Sequence, residues 1–111
     1  MYNNKYYFKA TVKEIHFAPK ACWVTFFYND KFCIKDKEYG IGYSLDGEVI
    51  KLGINMRFDA DDSMLQFMSQ HCHDLLEVCY EKNCDLDVNN DLNKSNVISA
   101  GKIIGATVSY E

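Results

Sequence analysis

The sequence predicts an α+β fold: a five-stranded antiparallel meander, bent or partly closed, with one helix packed on it and one closing C-terminal strand. Three observations predict it. Turn-forming pairs divide the first half into runs rich in β-branched and aromatic residues, residues 50–58 alternate between apolar and polar, and apolar spacing switches to three and four after Phe58.

The reversals are Pro19-Lys20, Asn29-Asp30 and Asp46-Gly47, and the strands fall at about 5–17, 21–28, 31–35, 39–45 and 48–58. Asp46-Gly47 is the strongest, because Asp-Gly readily supplies the positive φ that a type I′ turn needs at both central residues. In the first strand Phe8, Ala10 and Val12 share one face and Lys9, Thr11 and Lys13 the other. The apolar phase then moves to Ile15 and Phe17, which predicts a bulge or strong bend near Glu14. The second strand, Cys22 to Tyr28, is apolar on both faces, so it is expected to be central or to bind something on one face. In the fifth strand Ile50, Leu52, Ile54, Met56 and Phe58 face the core, and Lys51, Gly53, Asn55 and Arg57 face solvent or a ligand.

Asp59, Asp61, Asp62 and Ser63 offer N-cap oxygens and negative charge for a helix start. Leu65, Met68, Cys72, Leu75, Leu76 and Cys79 then form a helical apolar stripe, and Lys82-Asn83 provides a C-terminal stop. A helix over 61–82 covering a curled sheet therefore carries the whole reading. Residues 83–96 are polar and acidic without a period and are expected to form the most mobile loop. The run from Val97 to Tyr110 predicts the closing strand, with Ile104, Ala106, Val108 and Tyr110 on one face and Gly101 and Gly105 marking bends or close approach.

A small bent sheet with one helix resembles the OB-fold in outline, and that resemblance implies oligonucleotide binding on an aromatic sheet face. Two departures stand out: the helix comes one or two strands late, and one closing strand follows where two are expected.

The 111 residues suit a single domain spanning 1–111, and an apolar fraction of 48% with 25% charged residues is globular composition. No stretch suggests a signal peptide or membrane span, so a cytoplasmic location is expected. Five cysteines, an odd number, are then read as free thiols acting as small hydrophobes. The abundance of lysine over arginine, with many Asn and Tyr, hints at an AT-rich source such as a phage or mobile element. Residues 1–57 hold nine Lys/Arg against six Asp/Glu, a balance of +3, while residues 58–111 hold three against ten, a balance of −7. Such asymmetry suits a partner chosen by charge.

Several constellations invite catalytic or metal chemistry and fall short of it. His71, Cys72, His73, Cys79 and Cys84 lack the paired spacing of structural zinc ligands, and on a helix Cys72 and Cys79 would lie about 10 Å apart along the axis. His73 and Glu77 at helical spacing read as a solvated pair. A cysteine nucleophile needs a neighbouring cation or a helix N-terminus, and Cys72 is expected mid-helix while Cys22 and Cys33 are expected in strands, so none reads as activated. Tyr39-Gly40-Ile41-Gly42-Tyr43 lacks the third glycine of a phosphate loop and opens no helix. The acidic groups Asp59/Asp61/Asp62 and Asp85/Asp87/Asp91 fit capping and loop solvation better than a calcium loop. An enzyme is therefore not expected, and no cofactor is implied.

The aromatic and basic strands carry the functional expectation. Tyr6, Tyr7, Trp23, Phe27 and Tyr28 interleave with Lys9, Lys13 and Lys31, and rings beside cations are what single-stranded nucleic acid needs, bases stacking on rings and ammonium groups holding phosphates. The first expectation is a non-catalytic module binding single-stranded nucleic acid or a nucleic-acid-processing protein. The alternative is an acidic inhibitor or adaptor, of the anti-restriction or anti-CRISPR type, that docks on a partner's basic groove through Asp74, Glu77, Asp85, Asp87 and Asp91.

Overall fold

A computed structural model describes residues 5–19, 21–54, 56–82 and 101–109. In chain order these form β1 (Lys5–Ala18), β2 (Ala21–Tyr28), β3 (Lys31–Ile34), β4 (Lys37–Tyr43), β5 (Val49–Gly53), β6 (Phe58–Asp59), α1 (Asp62–Gln70), β7 (Leu76–Lys82) and β8 (Gly101–Val108). The class is α+β and mostly sheet. No helix among the described residues is long and apolar enough to cross a membrane.

β1 and β2 form the hairpin expected at Pro19-Lys20, with Ala18 opposite Ala21. The expected bulge is present: the register slips between Val12 and Glu14, which turns the later residues of β1 by one position. The predicted meander breaks at Asn29-Asp30. β2 and β3 do not pair; β2 lies between β1 and β6, whereas β3 pairs with β4, and β4 pairs with β5. The bend is held elsewhere, by the Asn29 N–H donating to the Lys9 carbonyl at 2.8 Å and the Ile41 N–H donating to the Asp30 carbonyl at 3.1 Å.

Turn chemistry is also redistributed. Positive φ at two successive loop residues occurs at Lys35 (51°) and Asp36 (68°), between the paired residues Ile34 and Lys37. At Asp46-Gly47 only Gly47 is left-handed, with φ 86°. That turn is closed by Ser44, whose hydroxyl accepts from the Glu48 N–H at 3.0 Å.

The predicted fifth strand is two strands. β5 ends at Gly53, whose N–H donates to the Met56 sulfur at 3.1 Å, and β6 then joins β2 and β8 instead of β4. The alternation survives the break because Ile50, Leu52, Met56 and Phe58 all point into one core.

The helix over 61–82 is half right. Asp61 caps it, its carboxylate accepting from the Met64 N–H and the Ser63 hydroxyl at 3.0 Å each, and these bonds hold its carboxyl below the ordinary value. Helix ends at Gln70 with His71 as C-cap, not at Lys82-Asn83. From Leu76 the chain is extended, with Leu76, Val78 and Tyr80 buried and Glu77 and Glu81 exposed. This is period two, and it prevails because the segment fits between β1 and β8, pairing along both edges. Cys72 and Cys79 accordingly share no helix stripe, nor do His73 and Glu77 share a helix face.

The closing strand runs from Gly101 within the predicted range. A register slip between Cys79 and Tyr80 leaves Ile104 without an opposite residue, so Ile103 takes the core position and Ile104 is exposed. Gly101 is a close approach: a Cβ there would overlap the Glu81 carbonyl oxygen.

The pairings run in a circuit, β1 to β2, β2 to β6, β6 to β8, β8 to β7 and β7 back to β1, with β6 and β8 parallel. Phe8, Phe26, Phe58 and Tyr80, one from each of four of these strands, meet at centroid distances from 5.0 to 5.8 Å. Leu65 and Met68 of α1 complete this core. Each such side chain contributes about 1.5–3 kcal/mol through burial, so the curled sheet shields most of its own apolar side and the helix seals a smaller part than expected.

Candidate nucleic-acid interface

The alternation of β2 decides which of its aromatics are available. Val24, Phe26 and Tyr28 are buried in the core; of the alternate set, Thr25 is also buried, Trp23 is half-buried and Phe27 is exposed. Two of the aromatic residues singled out in the sequence therefore belong to the core. Tyr6 is 7% exposed and Tyr28 3%, which removes both rings from any stacking surface. Burial pushes the Tyr28 hydroxyl well above its ordinary pKa and leaves its oxygen without a hydrogen-bond partner among the described residues. Tyr6 donates to a Glu48 carboxylate oxygen at 3.3 Å, and burial first, then that carboxylate, raises its pKa.

Trp23 and Phe27 remain on the outer face with cations beside them. The bulge of β1 turns Lys13 toward Phe27, its ammonium 5.5 Å from the ring centroid, and Phe27 is 56% exposed. Trp23 is half-buried and has two neighbours. From β1, His16 stacks on the indole at 4.9 Å and 12° from parallel. From the segment entering β6, the Arg57 guanidinium carbon lies 4.3 Å from the indole centroid. An exposed cation–π contact is worth about 0.5–1 kcal/mol.

Beside Phe27 the bulge and the end of α1 enclose a groove of ≈610 Å³, lined by Thr11, Lys13, Glu14, Ser69, Cys72 and His73 in addition to that ring. His71 sits outside this lining and holds Asp74 through its Nδ1 at 2.8 Å.

The remaining predicted residues lie apart. Lys31 is on β3, 4.0 Å from the Glu38 carboxylate, both exposed, a contact of little energetic weight. Tyr7 and Lys9 are on the outer face of β1 at its other end, opposite Cys79 and Glu77. Of the acidic set, Asp74 lies in the turn after α1 and Glu77 on β7, while Asp85, Asp87 and Asp91 fall outside the described residues. No group of three or more His, Cys, Asp or Glu among the described residues is placed to hold a metal ion, and Cys84 lies outside them.

His16 and Arg57 were not singled out in the sequence. His16 was within reach, since counting back from a two-residue loop at Pro19-Lys20 puts it opposite Trp23. Arg57 had only its polar phase as a signal, because its contact with Trp23 depends on the nonlocal pairing of β6 with β2. No protein-family model, no curated protein and no solved structure matches this chain.

Proposed function

We propose that the chain binds single-stranded nucleic acid on the outward face of β1 and β2, on a sheet of the OB type. The observation that carries the reading is the pairing of each outward ring of β2 with a cation: Trp23 with Arg57 at 4.3 Å and Phe27 with Lys13 at 5.5 Å. Rings of this kind accept any base by stacking, and the cations beside them suit the phosphates.

The strand order supports the OB part. Taking β3 to β5 as an insertion, the circuit β1-β2-β6-β8-β7 has the five-stranded order of that fold, with its parallel closing pair and its helix between the third and fourth strands. Both departures visible in the sequence then have a cause: the insertion delays the helix, and β7 is the second closing strand. OB-folds bind oligonucleotides on the face of their second and third strands, β2 and β6 here, where Trp23 and Asp59 are register partners.

Trp23 is the one tryptophan, so its emission reports on this face directly. Short oligonucleotides are expected to quench it at low salt, with recovery as salt rises. Unchanged emission at low salt would sink the proposal.

A further inference from the structure

β1 changes neighbours at Lys9. On one side of that point Ala10 to Ala18 pair with β2, and on the other Tyr7 faces Tyr43 of β4. β2 ends at Tyr28, and the Asn29-Asp30 bend spans the gap, using its own backbone groups to bind Lys9 and Ile41. The gap is a crevice of ≈380 Å³ lined by Tyr7, Lys9, Asn29, Asp30, Tyr43 and Glu77. That size lies in the range of small-ligand pockets, about 300–1,000 Å³. Across the opposite edge of β1, Glu77 is the register partner of Lys9. The crevice thus presents two phenol rings, an ammonium, a carboxamide and two carboxylates.

We infer that this crevice is a pocket for one guanine of a bound strand, an inference that rests on the single-strand reading above. A carboxylate accepts two parallel hydrogen bonds, and guanine alone among the common bases presents two adjacent donors, N1–H and the N2 amino group, on its Watson–Crick edge. Uracil and thymine set one donor between two carbonyls, whose oxygens would face the carboxylate's lone pairs. Adenine and cytosine offer an amino group beside an acceptor nitrogen. Glu77 is the carboxylate placed for the task, since it lines the crevice together with Tyr7 and stands directly across from Lys9 in the β1–β7 register. Acceptor and stacking surface therefore coincide. The Asn29 amide and the Lys9 ammonium are donors for the guanine O6 and the adjoining phosphate.

The test compares short oligothymidylate with the same strand carrying one central guanine, or one inosine, which lacks the N2 amino group. Affinity is read by anisotropy of the labelled strand and Trp23 emission is followed in parallel. The guanine strand is expected to bind about 5- to 150-fold tighter than oligothymidylate, the discrimination of one bidentate base contact, with inosine in between. Glu77→Gln is expected to abolish the preference for the guanine strand over oligothymidylate; Glu77 is exposed on β7, so the variant keeps the fold. Quenching of Trp23 without any guanine preference, or a preference that survives both Glu77→Gln and Asp30→Asn, overturns the pocket alone. Failure of every strand to bind overturns the single-strand reading, and the pocket with it.

Discussion

His16 and Trp23 face each other across the β1–β2 hairpin with ring centroids 4.9 Å apart and planes 12° from parallel. This pair adds cross-strand stabilisation of about 0.2–1 kcal/mol and holds the indole upright on the outer face.

Trp23→Ala is expected to weaken oligonucleotide binding by about 1–3 kcal/mol, the value of one stacked base. The ring is half-buried and outside the core, so the urea midpoint should move little. Anisotropy of a labelled strand measures the first and denaturation the second. Equal affinity for the variant and the natural chain would remove Trp23 from the interface.

Arg57→Ala is expected to lower the slope of log affinity against log salt by about 0.7, the release of one condensed counterion from single-stranded nucleic acid. Arg57→Lys keeps the charge and should keep the slope, while losing part of the planar contact with the indole. A slope identical in all three proteins would place the phosphates elsewhere.

What the sequence makes legible is local. The two-residue loop at Pro19-Lys20, the bulge before Glu14 and the cap at Asp61 all follow from a few neighbouring residues. The break at Asn29-Asp30 and the extended state of Leu76 to Lys82 follow from partners far along the chain. Leu76 to Cys79 satisfies helical spacing and strand alternation at once, and the slot between β1 and β8 decides between them. The candidate site divides in the same way. Alternation already sets Trp23 and Phe27 apart from Tyr28 on β2 and puts Tyr6 in phase with Phe8 on β1, but which phase faces the core, and the approach of Arg57, depend on how the strands close.

Gly101→Ala is expected to destabilise the fold by about 1–3 kcal/mol, the usual penalty for inserting a methyl group into packed structure. The added carbon would overlap the Glu81 carbonyl oxygen and lie 2.8 Å from the Tyr80 ring, and the first of these is backbone of a paired strand. Gly105→Ala is the control, because among the described residues, its chain neighbours aside, no atom lies within 4 Å of a Cβ at that position. Urea midpoints of the two variants measure the difference, and equal midpoints would contradict the close pairing of β7 with β8.

Tyr28→Phe is expected to raise stability, against the usual direction for a core substitution. The Tyr28 hydroxyl oxygen is buried without a hydrogen-bond partner among the described residues, and such a group costs about 1–3 kcal/mol. Phenylalanine keeps the ring against Phe8, 5.3 Å between centroids, and deletes the orphaned oxygen. The pH dependence gives a second measurement. Burial raises the folded-state pKa of Tyr28 and Tyr80 above the ordinary phenol value of 10.0, so their neutral forms contribute stability below that pH. Above it the unfolded chain ionises while the folded one keeps its protons, and stability falls as pH climbs toward the folded-state values. The natural chain should therefore lose urea resistance above about pH 10 more steeply than Tyr28→Phe. Parallel curves for the two proteins, or a lower midpoint for the variant at neutral pH, would show that the hydroxyl is bonded.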